Sequence, residues 1–206
     1  MKKTLMTVLA LVPLTLWAQD NTWELPEEEQ IEETKVVKVN PDAKYLRGAV
    51  PEVDGKVVFS KTIEAPGKSA SDIYGIIGSY MKRMLREKNQ INSQLVVNDS
   101  INYEIGGRYE EWLVFKKSAI VLDQTRFGYV LDIKCHDGKA EVKLNHIRYL
   151  YEEHRNPQRL YAEGWITDDD AVNKKNTKLY PMTGKFRRKT IDRKDFLFNK
   201  LESLLK

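Results

Sequence analysis

The sequence contains one cysteine and three histidines among its 206 residues. A single cysteine, Cys135, excludes an internal disulfide, so the fold must depend on its hydrophobic core. Cys135 lies in an alternating apolar run, which favours a buried structural thiol over a reactive nucleophile. No cysteine stands at the cleavage site that follows the apolar N-terminal stretch, and this excludes the lipid attachment that a lipoprotein anchor requires there.

The first eighteen residues contain no acid and have the pattern of a secretory signal peptide. Lys2 and Lys3 precede an apolar stretch over residues 5–17, and Ala18 offers a small residue before a cleavage site. The alternative is a retained anchor, but the stretch is shorter than the about 20 residues that a transmembrane helix needs. No later stretch is apolar enough to span a bilayer, so we expect a soluble protein of the periplasm or the cell exterior after cleavage near Ala18.

Basic residues are missing between residues 20 and 33, a segment that contains seven acids. Residues 19–54 also lack a sustained apolar period, and Pro41, Gly48 and Pro51 interrupt the chain near the end of this region. Low hydrophobicity with a high charge of one sign is typical of segments that form no packed core. We therefore predict an acidic, largely unstructured linker over residues 19–54, followed by a single domain over residues 55–206.

The domain begins with a β-rich run over residues 56–64 and continues with a helix over residues 69–89. Ser69 and Asp72 have the spacing of a capping box at the start of this helix. The apolar residues of the helix recur on one face, which predicts that it packs on a sheet. They are Ile73, Ile76, Ile77, Tyr80, Met84 and Leu85.

Four strand-like segments follow without a helix between them. The third alternates apolar and polar residues between Arg126 and His136, and Asp137-Gly138 predicts a hairpin to the fourth. The apolar residues change parity along the fourth segment, which predicts a bulge near Asn145 or His146.

A long polar connection over residues 154–189 leads to an amphipathic C-terminal helix. The element order is therefore β-α-β-β-β-β-α. This order predicts a two-layer α+β domain in which two helices cover one face of an antiparallel, curved sheet.

The sequence lacks the common catalytic and metal-binding motifs. The histidines form neither HxH nor HExxH, so surface histidines are favoured over a metal site. Three consecutive acids, residues 168–170, suggest either a hard-cation site or the capping of a following helix, and the absence of an EF-hand spacing favours capping. No GxSxG, phosphate-binding loop or dinucleotide fingerprint is present. We predict no catalytic residue, no metal and no cofactor.

Six basic residues lie within residues 184–194, GKFRRKTIDRK. Such a run is typical of a solvated helix entry, but it can also contact phosphates. In an exported protein with a nearly balanced charge we do not expect nucleic acid as the partner. Lipid headgroups, anionic glycans or the acidic segment of residues 20–33 are the remaining candidates.

Four segments, taken in order, resemble the Bacteroidetes family of exported domains of unknown function with a TBP-like fold. They are VDGKVVFSKTIEAPGKSASDIY, EEWLVFKKSAIVLDQTRFGYVL, AEGWITDDDAVNKKNTKLY and GKFRRKTIDRKDFLF. The resemblance covers roughly residues 45–206. It implies a signal peptide followed by a strand–helix–four-strand–helix domain, and it implies no reaction and no catalytic residue.

The resemblance also implies a set of recurrent residues whose roles are structural first. Trp112 would belong to the sheet core, and Trp165 with the basic run would dock the long connection against the domain. The segment EGWITDD departs from the family pattern, because Gly164 stands where an acid is expected and any ion pair of that acid is missing here. The recurrent residues are Gly55, Trp112, Trp165, Asp168, Arg187, Arg188 and Asp192.

We expect a non-enzymatic binding or interaction module of the cell envelope. A sheet covered by helices on one face leaves the other face free for an apolar or anionic small ligand or for an envelope protein. The alternatives are an envelope-directed hydrolase, and a structural assembly factor that uses a free sheet face or a strand edge. The residues predicted to form the ligand or partner surface are Tyr149, Tyr151, Tyr161, Trp165, Arg187 and Arg188. The alternative for the three tyrosines is that they pack under the connection of residues 154–189.

Overall fold

The computed structural model describes residues 40–206, so the predicted signal peptide and the linker up to residue 39 lie outside the described residues. Its strands are β1 (Glu52–Val53), β2 (Lys56–Val57), β3 (Phe59–Glu64), β4 (Gln94–Asp99), β5 (Glu104–Lys117), β6 (Leu122–His136), β7 (Lys139–Tyr151) and β8 (Gln158–Tyr161). Its α-helices are α1 (Ala70–Met84), α2 (Asp168–Ala171) and α3 (Pro181–Leu205), and two short 3₁₀ helices span Ala43–Tyr45 and Ala162–Gly164. No helix among residues 40–206 combines the length and the apolar character that crossing a bilayer demands.

Six strands form one antiparallel sheet in the order β3-β7-β6-β5-β4, and β8 also pairs with β7. Strand β3 pairs with the first half of β7 and β8 pairs with its last four residues, so the two short strands share one edge of β7. A separate two-stranded hairpin is formed by β1 and β2. The predicted α+β fold with an antiparallel sheet is confirmed.

Helices α1 and α3 cover one face of the sheet and contact each other. Helix α1 begins with the predicted capping box, because Ser69 and Asp72 each accept a hydrogen bond from the other's backbone amide. Its residues Ile73, Ile77 and Met84 are fully buried against the sheet. We call this side of the sheet the covered face and the opposite side the open face.

The predicted bulge in β7 is confirmed at residues 145–147. The register with β6 passes from Gly128↔Arg148 to Val130↔Asn145, and His146 has a φ of 50°. This extra residue reverses the parity of the strand, so that Leu144 before the bulge and Ile147 after it are both buried on the covered face. Side chains on one face therefore stay on that face along the whole strand.

Cys135 is free and lies in the core, where it is 3% exposed. Burial raises the pKa of its thiol to about 11. This agrees with the structural role that the alternating pattern favours.

The end of the predicted linker is part of the packed structure, and this corrects the prediction for residues 40–54. Val50 is buried, and the 3₁₀ helix at Ala43–Tyr45 contacts α3. The Tyr45 hydroxyl donates a hydrogen bond to Asp192 at 2.8 Å, and Lys44 forms an ion pair with the same carboxylate at 2.7 Å. The composition of the segment misled the prediction because these contacts are made with residues about 140 positions later in the chain.

The long connection predicted over residues 154–189 contains β8, a 3₁₀ helix, α2 and the first turns of α3. These elements are too short for a periodicity to show in the sequence. Helix α3 begins at Tyr180-Pro181, and a proline at the first helical position suits a helix start.

Candidate functional site

The basic run of residues 184–194 is used inside the protein. Five of its six basic side chains form ion pairs with carboxylates of the described residues. The pairs are Lys185–Asp123, Arg187–Asp168, Arg188–Asp42, Arg193–Glu111 and Lys194–Asp195. The run therefore fastens α3 to the strands, the N-terminal segment and α2, and most of its charge is already neutralised.

Arg187 joins three separate parts of the chain and is fully buried. Its guanidinium donates hydrogen bonds to the carbonyls of Tyr45, Leu46 and Ile166 at 2.6–2.7 Å. It also donates to Asp168, whose other oxygen accepts from the amide of Gly48. Asp168 thus serves as the partner of Arg187 within α2, rather than as the cap expected from the acidic triplet.

Arg188 completes this attachment of the N-terminal segment. Its guanidinium pairs with Asp42 at 2.8 Å, and Asp42 also accepts the amide of Leu179 at 3.2 Å. The prediction that Arg187 and Arg188 form a free binding surface is wrong, because both already bind the protein's own acids. The docking role implied by the family resemblance describes them better.

A second buried pair joins α3 to the covered face of β5. Glu111 and Arg193 are each 1% exposed, and two parallel hydrogen bonds of 2.6 and 2.8 Å connect them. Gln90 donates to the same carboxylate at 2.7 Å. Burial lowers the pKa of Arg193, but the charge of Glu111 more than offsets this and keeps the pKa above its usual value.

Most of the predicted surface aromatics belong to the core. Tyr149 is 2% exposed, and its hydroxyl shares a hydrogen bond of 2.7 Å with Thr190 of α3. Trp165 is half-buried with its ring 5.8 Å from that of Phe186. The placement of these two residues on an exposed surface is wrong, because both pack against α3.

Tyr151 is half-buried and takes part in the attachment of α3. Its hydroxyl donates to Asp123 at 3.0 Å and accepts from Lys185 at 2.9 Å. Burial lowers the pKa of Lys185, but the hydrogen bonds to Asp123 and Tyr151 outweigh this and raise it. Tyr151 is therefore a structural residue, and only Tyr161 of the four predicted aromatics is well exposed, at 61%.

The open face begins with paired charges near the β6–β7 hairpin. Glu104, Lys134 and Glu141 form one row across β5, β6 and β7, and the Glu104–Lys134 pair measures 2.7 Å. Gly106, Asp132 and Lys143 occupy the next row. These rows have the alternating charges of a solvated sheet surface.

Farther along the same face, arginines accumulate. Arg126, Arg148 and Arg159 lie on β6, β7 and β8, and line a cavity of about 220 Å³ together with Tyr161. Arg126 is held by Glu153 and lies over the Trp112 ring at 5.6 Å. Within the described part of the chain, neither Arg148 nor Arg159 has a carboxylate within ion-pair distance.

A glycine explains how Arg148 lies in this cavity. The side chain passes over Gly128, where an added Cβ would be 2.9 Å from both Cζ and Nε of Arg148. Glu110, the one acid among the described residues that lines this cavity, lies on β5 opposite Gly128, 4.0 Å from Arg126. The glycine lets the guanidinium of Arg148 lie flat along the sheet rather than project into solvent.

A neighbouring cavity of about 530 Å³ shares Arg148 and Tyr161 with the first. It lies between the β1–β2 hairpin and the bulge of β7, and Val53 and Val58 give it an apolar wall. We call the two cavities together the open-face groove, defined by Arg126, Gly128, Arg148, Arg159 and Tyr161. The groove combines arginine donors, an exposed tyrosine and apolar surface, and three acids also line it: Glu110 in the smaller cavity, and Asp54 and Glu163 in the larger.

Sequence reasoning found Tyr161 but missed the arginines of the groove. Arg126 was placed on the polar side of β6, but nothing in the sequence showed that Arg148 and Arg159 would join it. Trp112, which the family resemblance implied to be sheet core, lies half-buried on the open face beside Arg126. Among residues 40–206, the His, Cys, Asp and Glu side chains form no group of three or more that would suit a metal ion.

The chain has recognisable relatives. A family model described as a domain of unknown function, DUF4468, with a TBP-like fold matches residues 59–150. The chain is 43% identical to a DUF4468 family protein from Bacteroides ovatus of known crystal structure, with a TM-score of 0.74. That match covers 80% of this chain and 94% of the relative.

A TBP-like protein from Parabacteroides distasonis shows the same fold at lower identity. It is 19% identical, with a TM-score of 0.63 over 76% of this chain and 96% of that protein. No curated protein matches the chain. The 43% identity to the Bacteroides ovatus protein and the 94% coverage of that protein show that the chain belongs to the DUF4468 family of domains with a TBP-like fold.

Proposed function

We propose that this chain is a non-enzymatic binding module of the cell envelope, and that it holds an anionic ligand in the open-face groove. The ligand is a small molecule with a carboxylate or phosphate group, or an acidic segment of an envelope protein. The observation that carries the proposal is the pair Arg148 and Arg159, which lack a carboxylate partner among residues 40–206 although they line a cavity.

The rest of the molecule makes this pair notable. Five basic side chains of the run in α3 form ion pairs with carboxylates of the chain, and Arg126 of the groove is itself paired with Glu153. A guanidinium has a planar set of donors that fits a carboxylate or a phosphate in two parallel hydrogen bonds. Arginines kept unpaired beside a cavity therefore favour an anion as the occupant.

The groove also has features that suit an apolar part of the ligand. Tyr161 is 61% exposed at the junction of the two cavities, and Val53, which lines the larger cavity, is 54% exposed. Exposed aromatic and aliphatic side chains next to a few polar groups are typical of small-molecule sites. An anion attached to a short apolar chain satisfies both halves of the groove.

The first test is a titration of the chain from residue 19 onward, followed by backbone NMR shifts, with inorganic phosphate and with octanoate as probes. We expect saturable shifts at Gly128, Arg148 and Tyr161, with octanoate binding more tightly than phosphate. The variant Arg148→Gln/Arg159→Gln should weaken octanoate binding at least about tenfold, because it removes two charged donors.

The control for this titration is Arg86→Gln, which removes an exposed arginine just after α1, on the other side of the sheet. It lowers the net charge without changing the groove and should leave the affinity unchanged. Shifts that spread over α1 and α3, or an equal loss of affinity in the control, would refute a site on the open face.

The sheet edge supports a second candidate function, that of an assembly factor. Among residues 40–206, strand β4 is the last strand of the sheet and pairs with β5 alone, and its Val96 and Val97 are exposed by 52% and 39%. An unpaired, partly apolar edge can add a strand from another chain. Sedimentation analysis of Val96→Lys would test it, since a charge on this edge should abolish any self-association. Nothing in the arrangement of residues 40–206 favours the hydrolase alternative.

A further inference from the structure

The hairpin of β5 and β6 extends beyond the rest of the sheet. Pairing between β6 and β7 ends at Thr125↔Tyr151, whereas β5 and β6 stay paired as far as Lys117↔Leu122. We call residues 114–124 the hairpin arm. At about 3.3 Å per strand residue, the arm projects about 10 Å past β7.

The arm is fixed at its base and ordered at its tip. At the base, the ring of Phe115 lies 4.6 Å from that of Phe186 in α3, and Lys185 pairs with Asp123 at 2.8 Å. At the tip, Ser118 and Val121 exchange backbone and side-chain hydrogen bonds that close the turn. The turn is thus closed by hydrogen bonds in which the aliphatic side chains of residues 120–122 take no part.

The side chains at this tip are apolar and exposed. Ile120 is 94% exposed, Leu122 57% and Val121 41%. Three consecutive aliphatic residues at the end of a projecting arm contribute little to the core, and keeping them in water is unfavourable. This favours a role in contact with another surface.

Basic residues surround the apolar tip. Lys116 and Lys117 are exposed at the end of β5, just before the turn that contains Ile120. A groove of about 480 Å³ beside the tip is lined by His154 and Arg155 from the turn after β7, and also by Trp112 and the acidic Glu152 and Glu153. Of the acids near the arm, Asp123 and Glu153 are already paired with Lys185 and Arg126.

We propose that the tip of the hairpin arm inserts into the headgroup region of an anionic lipid surface, with Ile120, Val121 and Leu122 as the inserted residues. Aliphatic side chains gain free energy when they leave water for the acyl boundary, and nearby lysines gain from anionic headgroups. A second copy of the chain fits less well, because two tips brought together would place their lysines side by side. The proposal is independent of the open-face groove.

The test is co-sedimentation of the chain from residue 19 onward with vesicles of phosphatidylethanolamine and phosphatidylglycerol, compared with vesicles of phosphatidylcholine alone. We expect binding to the anionic vesicles and much weaker binding to the neutral ones. Ile120→Ser should weaken binding to the anionic vesicles about tenfold, the amount expected for one aliphatic side chain that leaves water. Lys116→Gln/Lys117→Gln should weaken it several-fold on anionic vesicles only.

The matched control is Ile101→Ser. Ile101 is 86% exposed in the turn between β4 and β5, away from the arm, and its replacement should leave vesicle binding unchanged. All of these substitutions fall on exposed side chains, so each variant should keep the melting temperature of the parent chain.

Three results would overturn the proposal. The first is no binding to either type of vesicle, and the second is an equal loss of binding in Ile120→Ser and Ile101→Ser. The third is a concentration-dependent dimer in solution that Ile120→Ser abolishes while vesicle binding is absent, which would assign the tip to a second copy of this chain.

Discussion

Arginines on the two faces of the sheet differ in burial and in ion pairing. On the covered face, Arg193 is 1% exposed and bound through two hydrogen bonds to Glu111, which is equally buried. On the open face, Arg148 and Arg159 lie along a cavity with no carboxylate of the described residues in ion-pair distance. The first arrangement stabilises the attachment of a helix, and the second leaves donors available to something outside the chain.

The difference shows why a count of basic residues is a poor guide to a binding surface. Five of the six side chains in the densest basic run of the sequence form internal ion pairs, whereas the arginines of the groove lie on three different strands. A buried guanidinium must be paired because desolvation of a lone charge is costly. A half-exposed one has no such requirement, so its unpaired state can be retained for function.

The largest effect on stability should come from removing one partner of the buried ion pair on the covered face. Arg193→Met leaves Glu111 as a buried charge without its partner, and it should lower the free energy of unfolding by about 3–5 kcal/mol. Urea denaturation measures this change. The double variant Glu111→Leu/Arg193→Met should recover much of the loss, because no isolated charge remains, and a double variant as unstable as the single one would contradict this interpretation.

Alkaline pH should also lower the free energy of unfolding, because tyrosines are buried on the covered face. Burial raises the pKa of Tyr80 to about 12, and burial likewise raises the pKa of Tyr109, Tyr129 and Tyr149. Unfolded tyrosines ionise near pH 10, so the unfolded chain releases protons before the folded chain does. The contribution of these un-ionised tyrosines to the free energy of unfolding is therefore fully present below about pH 10. It is lost as the pH rises through about 12, and the loss is about 2–3 kcal/mol for Tyr80 alone.

Denaturation in urea at a series of pH values between 9 and 12 would measure this loss. Tyr129→Phe sharpens the test, because the buried Tyr129 hydroxyl has no hydrogen-bond partner among residues 40–206. The variant should be no less stable than the parent at neutral pH, since burying an unpaired hydroxyl is unfavourable. It should also lose less stability at alkaline pH, and the same alkaline loss as in the parent chain would contradict the account.

A pair of glycine substitutions compares the faces directly. At Gly107 an added Cβ would be 2.5 Å from the ring of Tyr109, which is fully buried on the covered face. Gly107→Ala should therefore cost about 1–3 kcal/mol of stability. At Gly128 the obstacle is the half-exposed side chain of Arg148, which can move, so Gly128→Ala should cost less than about 1 kcal/mol.

The same two variants should have the reverse order in binding. Gly128→Ala displaces the guanidinium of Arg148 from the sheet surface and should weaken octanoate binding several-fold, whereas Gly107→Ala should leave it unchanged while the protein is folded. Thermal denaturation and the NMR titration give the two values. Equal stability losses at the two glycines would mean that the faces are packed alike.

The smallest effect on stability is expected from the groove itself. Arg148→Gln/Arg159→Gln should change the free energy of unfolding by less than about 0.5 kcal/mol, because exposed residues without ion pairs contribute little to folding. Urea denaturation would show it. A loss of several kcal/mol would assign these arginines a structural role and remove the contrast between the faces.

The fold was largely predictable because its signals are local. The capping box at Ser69, the alternation along β6 and the parity change in β7 each involve residues close in sequence, and the structure confirms all three. The same alternation of faces holds at residues 110 and 111 of β5, of which Glu111 alone is buried. Backbone geometry alone dictates these patterns.

The candidate site was not predictable because it depends on distant pairings. Strand β8 has four residues and no clear pattern, yet it brings Arg159 and Tyr161 beside Arg148. Tyr149 and Trp165 were expected on the surface because no local pattern indicates that Thr190 and Phe186 of α3 pack against them. Such contacts depend on tertiary packing, and the periodicity of one segment does not predict them.

The most direct measurement is native mass spectrometry of the protein purified gently from its own cells, alongside Arg148→Gln/Arg159→Gln purified in the same way. The account predicts a reproducible excess mass that disappears on denaturation and is lost in the double variant while the fold is kept. A bare monomer, or an excess mass that the double variant retains, would contradict the claim that the open-face groove holds an anionic ligand.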